Sequence, residues 1–426
     1  MRLLFICTFL WLCFVTSRLY AQNEEGKHPI VFIHGMLASS DTYARFSQYF
    51  QQYGYSKHQL HYFDWNTLNR SQALHDLQKF IDQILYDSGF KQVVLVGHSA
   101  GGGLAYQYMK LPENQEKINR YVHIGSSPNT TLPGNNIKIP TLNLYSKHDY
   151  IVRGGDIPGA TNKELQHLDH YEVATAYESF RHIIAFLHSE TIPAIMMDLG
   201  TAKDDSICHI SGRIVVMGEN KSISETQIDI IENQEGKQLR DLPIVQSLVS
   251  DSLGRWGPVT LKKSTPYIFS IREGDSDRKL MYFFDAFTSN DQLVYLRTLP
   301  APNTLPGMLF SALPRDDHQS SVLSVFSANK AFHAGRDTLM VNGTLISTSE
   351  IADEKLTTIA IFLYDDGDGK SSGDLHPQFR MAPFMKGIDV YLNPENSTQI
   401  SVRFNDRKIS VPLIPSSEGI QIAVFR

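Results

Sequence analysis

The chain is expected to fold as an α/β half, a parallel sheet covered by helices, followed by an all-β, sandwich-like half. Three observations carry this expectation. Up to about residue 190, short β-type apolar runs alternate with segments of 3.6-residue periodicity, the pattern of a parallel sheet with helical crossovers. Within that half, Lys91–Met109 passes from a strand through Gly97-His98-Ser99-Ala100-Gly101 directly into a helix. Beyond Thr191 the helical period fades, and short strand-like runs punctuated by Gly, Pro, Asn and Asp take over.

The elements follow in order. Met1-Arg2, the apolar run Leu3–Val15 and the small Ala21 before Gln22 have the form of a secretory signal peptide over residues 1–21. An uncleaved signal anchor is the alternative. Export to a secreted or periplasmic location is therefore expected. Cys7 and Cys13 lie in this leader, which leaves Cys208 alone in the mature chain as a buried, inert thiol.

His28–Ile33 is a buried strand ending in His34-Gly35-Met36. Asp41 stands as a cap for a helix through Tyr43, Phe46 and Phe50 that Gly54 stops. Leu60–Phe63 is a second strand. Ser71–Tyr86 places Leu74, Leu77, Phe80, Ile81, Ile84 and Leu85 on one helical face, and Gly89 ends it. Val93–Val96 is a strand buried on both faces. Tyr121–Gly125 and Pro140–Tyr145 are further strands, separated by the polar loop Ser126–Asn136. A second polar loop, Arg153–Lys163, precedes His167-Leu168-Asp169-His170 and a helix bearing Tyr177, Phe180, Ile183, Ile184 and Leu187. The first unit spans residues 28–190. Residues 204–426 form the β-rich region, as one domain or as two modules of about 204–272 and 280–426. Leu299–Pro314, with four prolines, is a linker or long loop.

With 426 residues the chain is too long for one ordinary domain. Its formal charge of −6 and lack of a basic tract argue against nucleic acid and anionic membrane as partners.

Chemistry concentrates around Ser99. A G-x-S-x-G pattern alone arises by chance in roughly one chain in seven of this length, so its context decides. Here it sits where strand becomes helix. The flanking glycines allow a turn sharp enough to hold the hydroxyl beyond the sheet edge. Acyl transfer by a serine also needs a base, an acid that orients the base, and donors for the oxyanion. Asp149, four residues past a buried strand, is the candidate acid, with Asp156 as alternative. Asp169 directly precedes the histidine and is poorly placed to bond it. His170, on a loop before the last helix, is the candidate base and His167 its rival. His182 and His188 fall on or near a helix that packs on the sheet. The backbone N–H groups of Ala100 and Met36 are the candidate oxyanion donors, with His34 structural beneath the turn.

No H-E-x-x-H or paired-Cys pattern indicates a metal in the first half, and no cofactor is required. In the second half, Asp366, Asp368 and Asp374 are a weak candidate for structural calcium. The EF-hand spacing is missing, so a solvated acidic turn is favoured.

At FIHGM, VGHSAGG, the strand ending in Asp149 and LDHYEV, the chain resembles α/β-hydrolase lipases and esterases of the compact bacterial kind. The order Ser99, Asp149, His170 is also theirs. The segments GRWGPVTLKKSTPYIFSI, YFFDAF and FMKGIDVYL resemble the C-terminal β-domain of two-domain archaeal and bacterial lipases. The resemblance implies a fatty-acyl carboxylic ester as substrate, and contact with lipid through the C-terminal region. In one respect the chain departs from that type: Phe63–Gln72 leads straight into the next helix with no helical lid insert, which tilts the reading towards an esterase or an open lipase. A peptidase, amidase or thioesterase on the same groups, and a non-catalytic binding protein, are the alternatives. Oligomeric state is not legible.

Overall fold

The computed structural model describes residues 27–134, 137–192, 206–272, 278–315, 317–395 and 399–426. The expected signal peptide lies outside them. None of their helices is long and apolar enough to cross a membrane.

The first half is a six-stranded, wholly parallel sheet. Its strands are β1 (Ile30–Ile33), β2 (Leu60–Phe63), β3 (Val93–His98), β4 (Ile118–Ile124), β5 (Thr141–Tyr145) and β6 (Thr161–Glu164), in spatial order 2-1-3-4-5-6. Alternation along each strand splits the core in two. Ile30, Phe32, Val94, Val96 and Leu142 pack against Phe46 and Phe50 of helix α1 (Ala44–Gln52) and Phe180 and Ile183 of the last helix of this half, Tyr177–His188. Val31, Ile33, Val93 and Leu95 face Leu77 and Ile81 of α2 (Ala73–Ser88) and Leu104 and Tyr108 of α3 (Ala100–Met109). Such two-sided burial is why these strands are continuous apolar runs. The order reverses between β1 and β3, so the crevice at their carboxyl ends is where ligands bind in sheets of this kind.

The loop expected over Arg153–Lys163 differs: its end is strand β6, which adds to the edge of the sheet. The residues of β6, Thr-Asn-Lys-Glu, are mostly exposed and polar, so no apolar period marks the strand.

The second half stacks three sheets. The central one runs Met385–Asp389, Ala360–Tyr364, Leu323–Ser327, Gly419–Phe425, Lys279–Phe284, Tyr267–Arg272, Gln227–Glu232, Ile244–Val249. One face packs Phe269, Leu280, Ile422 and Phe362 against Cys208, Ile210 and Ile214 of a three-stranded sheet. The other packs Ile268, Phe283, Val325 and Phe425 against Leu339, Val402 and Val411 of a four-stranded sheet. The pairing in the central sheet is mixed. Gly419–Phe425 runs parallel to both of its neighbours, and Ala360–Tyr364 runs parallel to Met385–Asp389. Strands Tyr267–Arg272 and Lys279–Phe284 pair antiparallel, so the central sheet continues across the junction expected near 273–280. The proline-rich stretch 299–314 holds a short helix, Leu305–Phe310, capped by the Thr304 hydroxyl. Cys208 is free and buried.

The two halves meet along α1. Ala44 packs with Val215, Leu293 and Tyr295 of the three-stranded sheet. Asp41, expected as a helix cap, instead receives both bonds of a forked contact from Arg297, at 2.7 and 2.8 Å. Asp64, just past β2, takes Arg213 and the Tyr295 hydroxyl on one oxygen, each at 2.6 Å, and the Ser40 N–H on the other at 2.9 Å.

One pair of substitutions tests the tight contact between β1 and α3. A Cβ on Gly101 would stand 2.2 Å from the Ile33 carbonyl oxygen, whereas one on Gly103 would meet nothing within 4 Å. Gly101→Ala should therefore destabilise by at least about 2 kcal/mol. Gly103→Ala should be neutral or stabilise by up to about 1 kcal/mol, since alanine favours helix. Thermal melting of the two variants reads the contrast, and equal effects would contradict the packing described.

Candidate active site

Strand β3 delivers Ser99 to the carboxyl edge of the sheet. Ser99 has φ 52° and ψ −121°, a conformation an L residue adopts only when its surroundings enforce it. The enforcement is visible on both sides. The Ser99 N–H bonds Ile124 O at 3.0 Å, and its carbonyl accepts from Gly102 N and from the Ser126 hydroxyl at 2.7 Å. Glycines permit the approach, since a Cβ on Gly97 would lie 2.9 Å from the Gly101 carbonyl. Ser99 thus sits at the apex of a sharp turn, ahead of the N-terminus of α3.

The structure brings three of the sequence candidates together. His170 Nε2 lies 3.0 Å from Ser99 Oγ, and its Nδ1 lies 2.7 Å from Asp149 Oδ2. Asp149 is 1 % exposed and His170 4 %. The other oxygen of Asp149 accepts from Ile151 N and Val152 N at 3.0 and 2.8 Å, which fixes the carboxylate plane.

The alternatives are occupied elsewhere. Asp156 accepts from the Tyr145 hydroxyl at 2.8 Å. Asp169 caps the short turn after it through Tyr171 N and Glu172 N, and also accepts from Ala331 N of the second half at 2.9 Å. His167 packs against His148, their rings 4.7 Å apart. His182 and His188 lie on helix Tyr177–His188, where His188 Nε2 meets the Tyr55 hydroxyl.

The turn after β1 lies directly against the nucleophile elbow: a Cβ on Gly35 would stand 3.1 Å from Ser99 Cβ. Met36 follows on this turn, and its N–H has no acceptor among the described residues. Ala100 is the first residue of α3, so its N–H has no partner within the helix. Two unengaged donors therefore flank Ser99. His34 is fully buried, with Nδ1 2.9 Å from the Gly35 carbonyl and Nε2 accepting from Trp65 N.

Two features near His170 were not legible in the sequence. His98 donates its Nε2 hydrogen to the His170 carbonyl at 2.9 Å, which anchors the His170 backbone. From the second half, the Phe384 ring lies nearly parallel to the imidazole, 6.5 Å between centroids, with the Phe384 backbone at φ 65°. Segment FMKGIDVYL had drawn attention for its family likeness, but nothing in it marks contact with the site.

In the acidic turn, carboxylate oxygens of Asp365, Asp366 and Asp368 lie within 4.8 Å of one another. Asp374, one of the sequence candidates, is not in that group, and Asp365 takes its place. Asp365 Oδ2 accepts from Gly367 N and Gly369 N, while its Oδ1 is buried without a hydrogen-bond partner among the described residues.

Residues 28–150 match the family model described as the alpha/beta hydrolase fold, and residues 206–300 match the lipase C-terminal domain. A further C-terminal-domain model matches residues 320–425. Among solved structures, the chain is similar to the Bacillus licheniformis lipase BlEst2 in mature form, with 16 % identity, 40 % of this chain and 94 % of that one covered, and a TM-score of 0.32. It is similar to the Paleococcus ferrophilus monoacylglycerol lipase with 14 % identity, 38 % and 96 % covered, and a TM-score of 0.30. For the carboxylesterase CesB from Bacillus subtilis the figures are 12 % identity, 39 % and 85 % covered, and a TM-score of 0.30.

Burial around the site has a consequence for stability. Loss of solvation holds His98 well below the ordinary histidine value of 6.5, holds His34 below it, and pushes His123 down to about 4. A histidine held neutral by burial gains a proton more readily in the unfolded chain, so the stability it contributes is complete above 6.5 and is lost as pH falls towards its folded value, about 4 for His123. Melting temperature should fall between pH 6.5 and 4.5, and His123→Gln should make the slope shallower. A flat profile would contradict the burial.

Proposed function

We propose that this lipase- and esterase-like α/β hydrolase cleaves carboxylic esters of fatty acids through an acyl-enzyme on Ser99. The single observation that carries the reading is the unbroken line from Asp149 Oδ2 through both nitrogens of His170 to Ser99 Oγ, at 2.7 and 3.0 Å. With Nδ1–H donating to Asp149, Nε2 is left with its lone pair facing the serine hydroxyl. As Ser99 Oγ attacks the ester carbonyl, its proton passes to Nε2 and the carbonyl oxygen gains charge. The N–H groups of Met36 and Ala100 stabilise that oxygen. Collapse expels the alcohol, which takes the proton from His170. Water then attacks the acyl carbon as Nε2 takes its proton, and the acid leaves as the C–Oγ bond breaks and Nε2 returns the proton to Ser99 Oγ.

An apolar acyl group suits the surroundings. Met36 is 38 % exposed, Ile151, two residues past Asp149, is 42 % exposed, and the Phe384 ring lies nearly parallel to the His170 imidazole. The segment between β2 and α2 is too short and too well held to be a lid. Thr67 accepts from Leu37 N at 2.9 Å, and Asp64 is pinned by Arg213. An esterase, or a lipase without a lid in this segment, fits that connection better than a lipase lidded there. Export, as the leader suggests, would give it substrates outside the cytoplasm.

Kinetics on p-nitrophenyl esters of rising chain length, run beside an anilide, test the reading. Ser99→Ala should lower kcat roughly ten-thousandfold or more with an unchanged melting temperature. Asp149→Asn should cost at least about a thousandfold, because an amide can hold the imidazole in the wrong tautomer. Ester hydrolysis should exceed anilide hydrolysis for every chain length. Substantial turnover by Ser99→Ala, or preference for the anilide, would overturn the assignment.

A further inference from the structure

The β-rich half does more than adjoin the site. Strand Ile207–Val216 ends in a tight turn in which Asn220 N bonds back to Val216 O. Asn220 has φ 57°, a left-handed conformation that Asn accepts more readily than most residues. Its side chain projects out of the β-half and is 7 % exposed, buried among residues of the hydrolase half. There both ends of its carboxamide are engaged. Oδ1 accepts from the Ser39 hydroxyl at 2.5 Å, and Nδ2 donates to Ala38 O at 2.8 Å and to Trp65 O at 3.0 Å. His34 Nε2 lies 3.2 Å away, but it already accepts from Trp65 N.

These partners are the two feet of one loop. Trp65 grips His34 twice, N–H to Nε2 and indole N–H to the His34 carbonyl, so Trp65 O stands for the first foot. Ala38 and Ser39 are the second. Between them lies Met36, whose N–H is the donor assigned to the oxyanion. Gly218 of the same turn packs against Leu37, where a Cβ would come within 3.3 Å of Leu37 Cδ2. Leu37 is itself at φ 59° and needs such support. Asn220 touches none of Ser99, His170 or Asp149 by a hydrogen bond.

We infer that Asn220 is a positioning residue: one carboxamide from the second half sets the Met36 N–H at the oxyanion pocket, so that the hydrolytic site is completed across the junction of the two halves. This inference rests on the reading of Ser99 as nucleophile and Met36 as oxyanion donor. A residue acting only as glue between halves would change how much protein is folded. A residue acting through the Met36 N–H changes the rate at each folded site.

Asn220→Gly keeps the left-handed backbone and deletes the amide. Ser39→Ala removes one bond from the opposite side and serves if the first variant folds poorly. Each is measured in the full-length protein with kcat per site, counting sites by fluorophosphonate titration. Affinity for a phenylboronic acid, whose tetrahedral adduct places an oxygen in the same pocket, is measured alongside. Asn220→Gly should lower kcat per site roughly 10- to 100-fold and Ser39→Ala a few-fold, with KM within about twofold. Boronate affinity should fall by the same factor as kcat/KM, and the pH dependence set by His170 should not move. Wild-type kcat per site and boronate affinity in both variants, whatever their melting temperatures, would overturn the inference. A wild-type protein that neither hydrolyses esters nor reacts with the fluorophosphonate would instead bring down the underlying reading, and the inference with it.

Discussion

The site depends on how closely backbone meets backbone at the elbow. A side chain at Gly101 would collide with the Ile33 carbonyl, and one at Gly97 with the Gly101 carbonyl. Because neither residue has a side chain, α3 starts immediately beside β1. The chain between β3 and α3 must then turn so sharply that Ser99 is held at positive φ. The cost of that conformation, of order 1–3 kcal/mol, is offset by the bonds to Ile124, Gly102 and Ser126. The same approach lays the turn bearing Met36 against Ser99. Ser99 and the backbone N–H groups of Met36 and Ala100 are thus fixed by one packing event, while Asp149 and His170 arrive separately from the ends of β5 and a later loop.

Charge fastens the second half to this arrangement. Asp41 with Arg297 and Asp64 with Arg213 are ion pairs that exclude much of the solvent. Such pairs add little net stability once desolvation is counted, but each is strongly unfavourable if broken. Their effect is geometric: they allow one seating of the β-half on α1 and the β2–α2 segment. Asp169, adjacent to His170, receives Ala331 N and Arg336 from the same half. The loops carrying Met36 and His170 are therefore both braced from across the junction.

Much of this was legible in the sequence. Apolar strands alternating with periodic helices made the sheet legible, because β1 and the Val93–Val96 part of β3 are buried on both faces and are continuous apolar runs. Ser99, Asp149 and His170 could be picked out because strand ends and chain order limit which polar residues can meet. Other features leave no such trace. Strand β6 and the edge strand Ile244–Val249 are largely exposed, so burial writes no pattern into them. The parallel pairs around Gly419–Phe425 depend on long-range topology that local runs do not encode. Asp41 was read as a helix cap because acidic residues at such positions often are; its partner Arg297 is too distant in sequence to suggest itself. Asn220 lies in Gly-Glu-Asn-Lys, whose composition announces a turn but not what the side chain reaches.

The most direct test of the central claim is to trap the covalent intermediate. Rapid acid quench of the wild-type protein with a slowly turned-over long-chain ester, followed by intact-mass and peptide mass spectrometry, should show one acyl group per chain, on the peptide containing Ser99. The adduct should be absent from Ser99→Ala. Acylation at another residue, or steady ester hydrolysis with no adduct at Ser99 under conditions where deacylation limits the rate, would contradict the account.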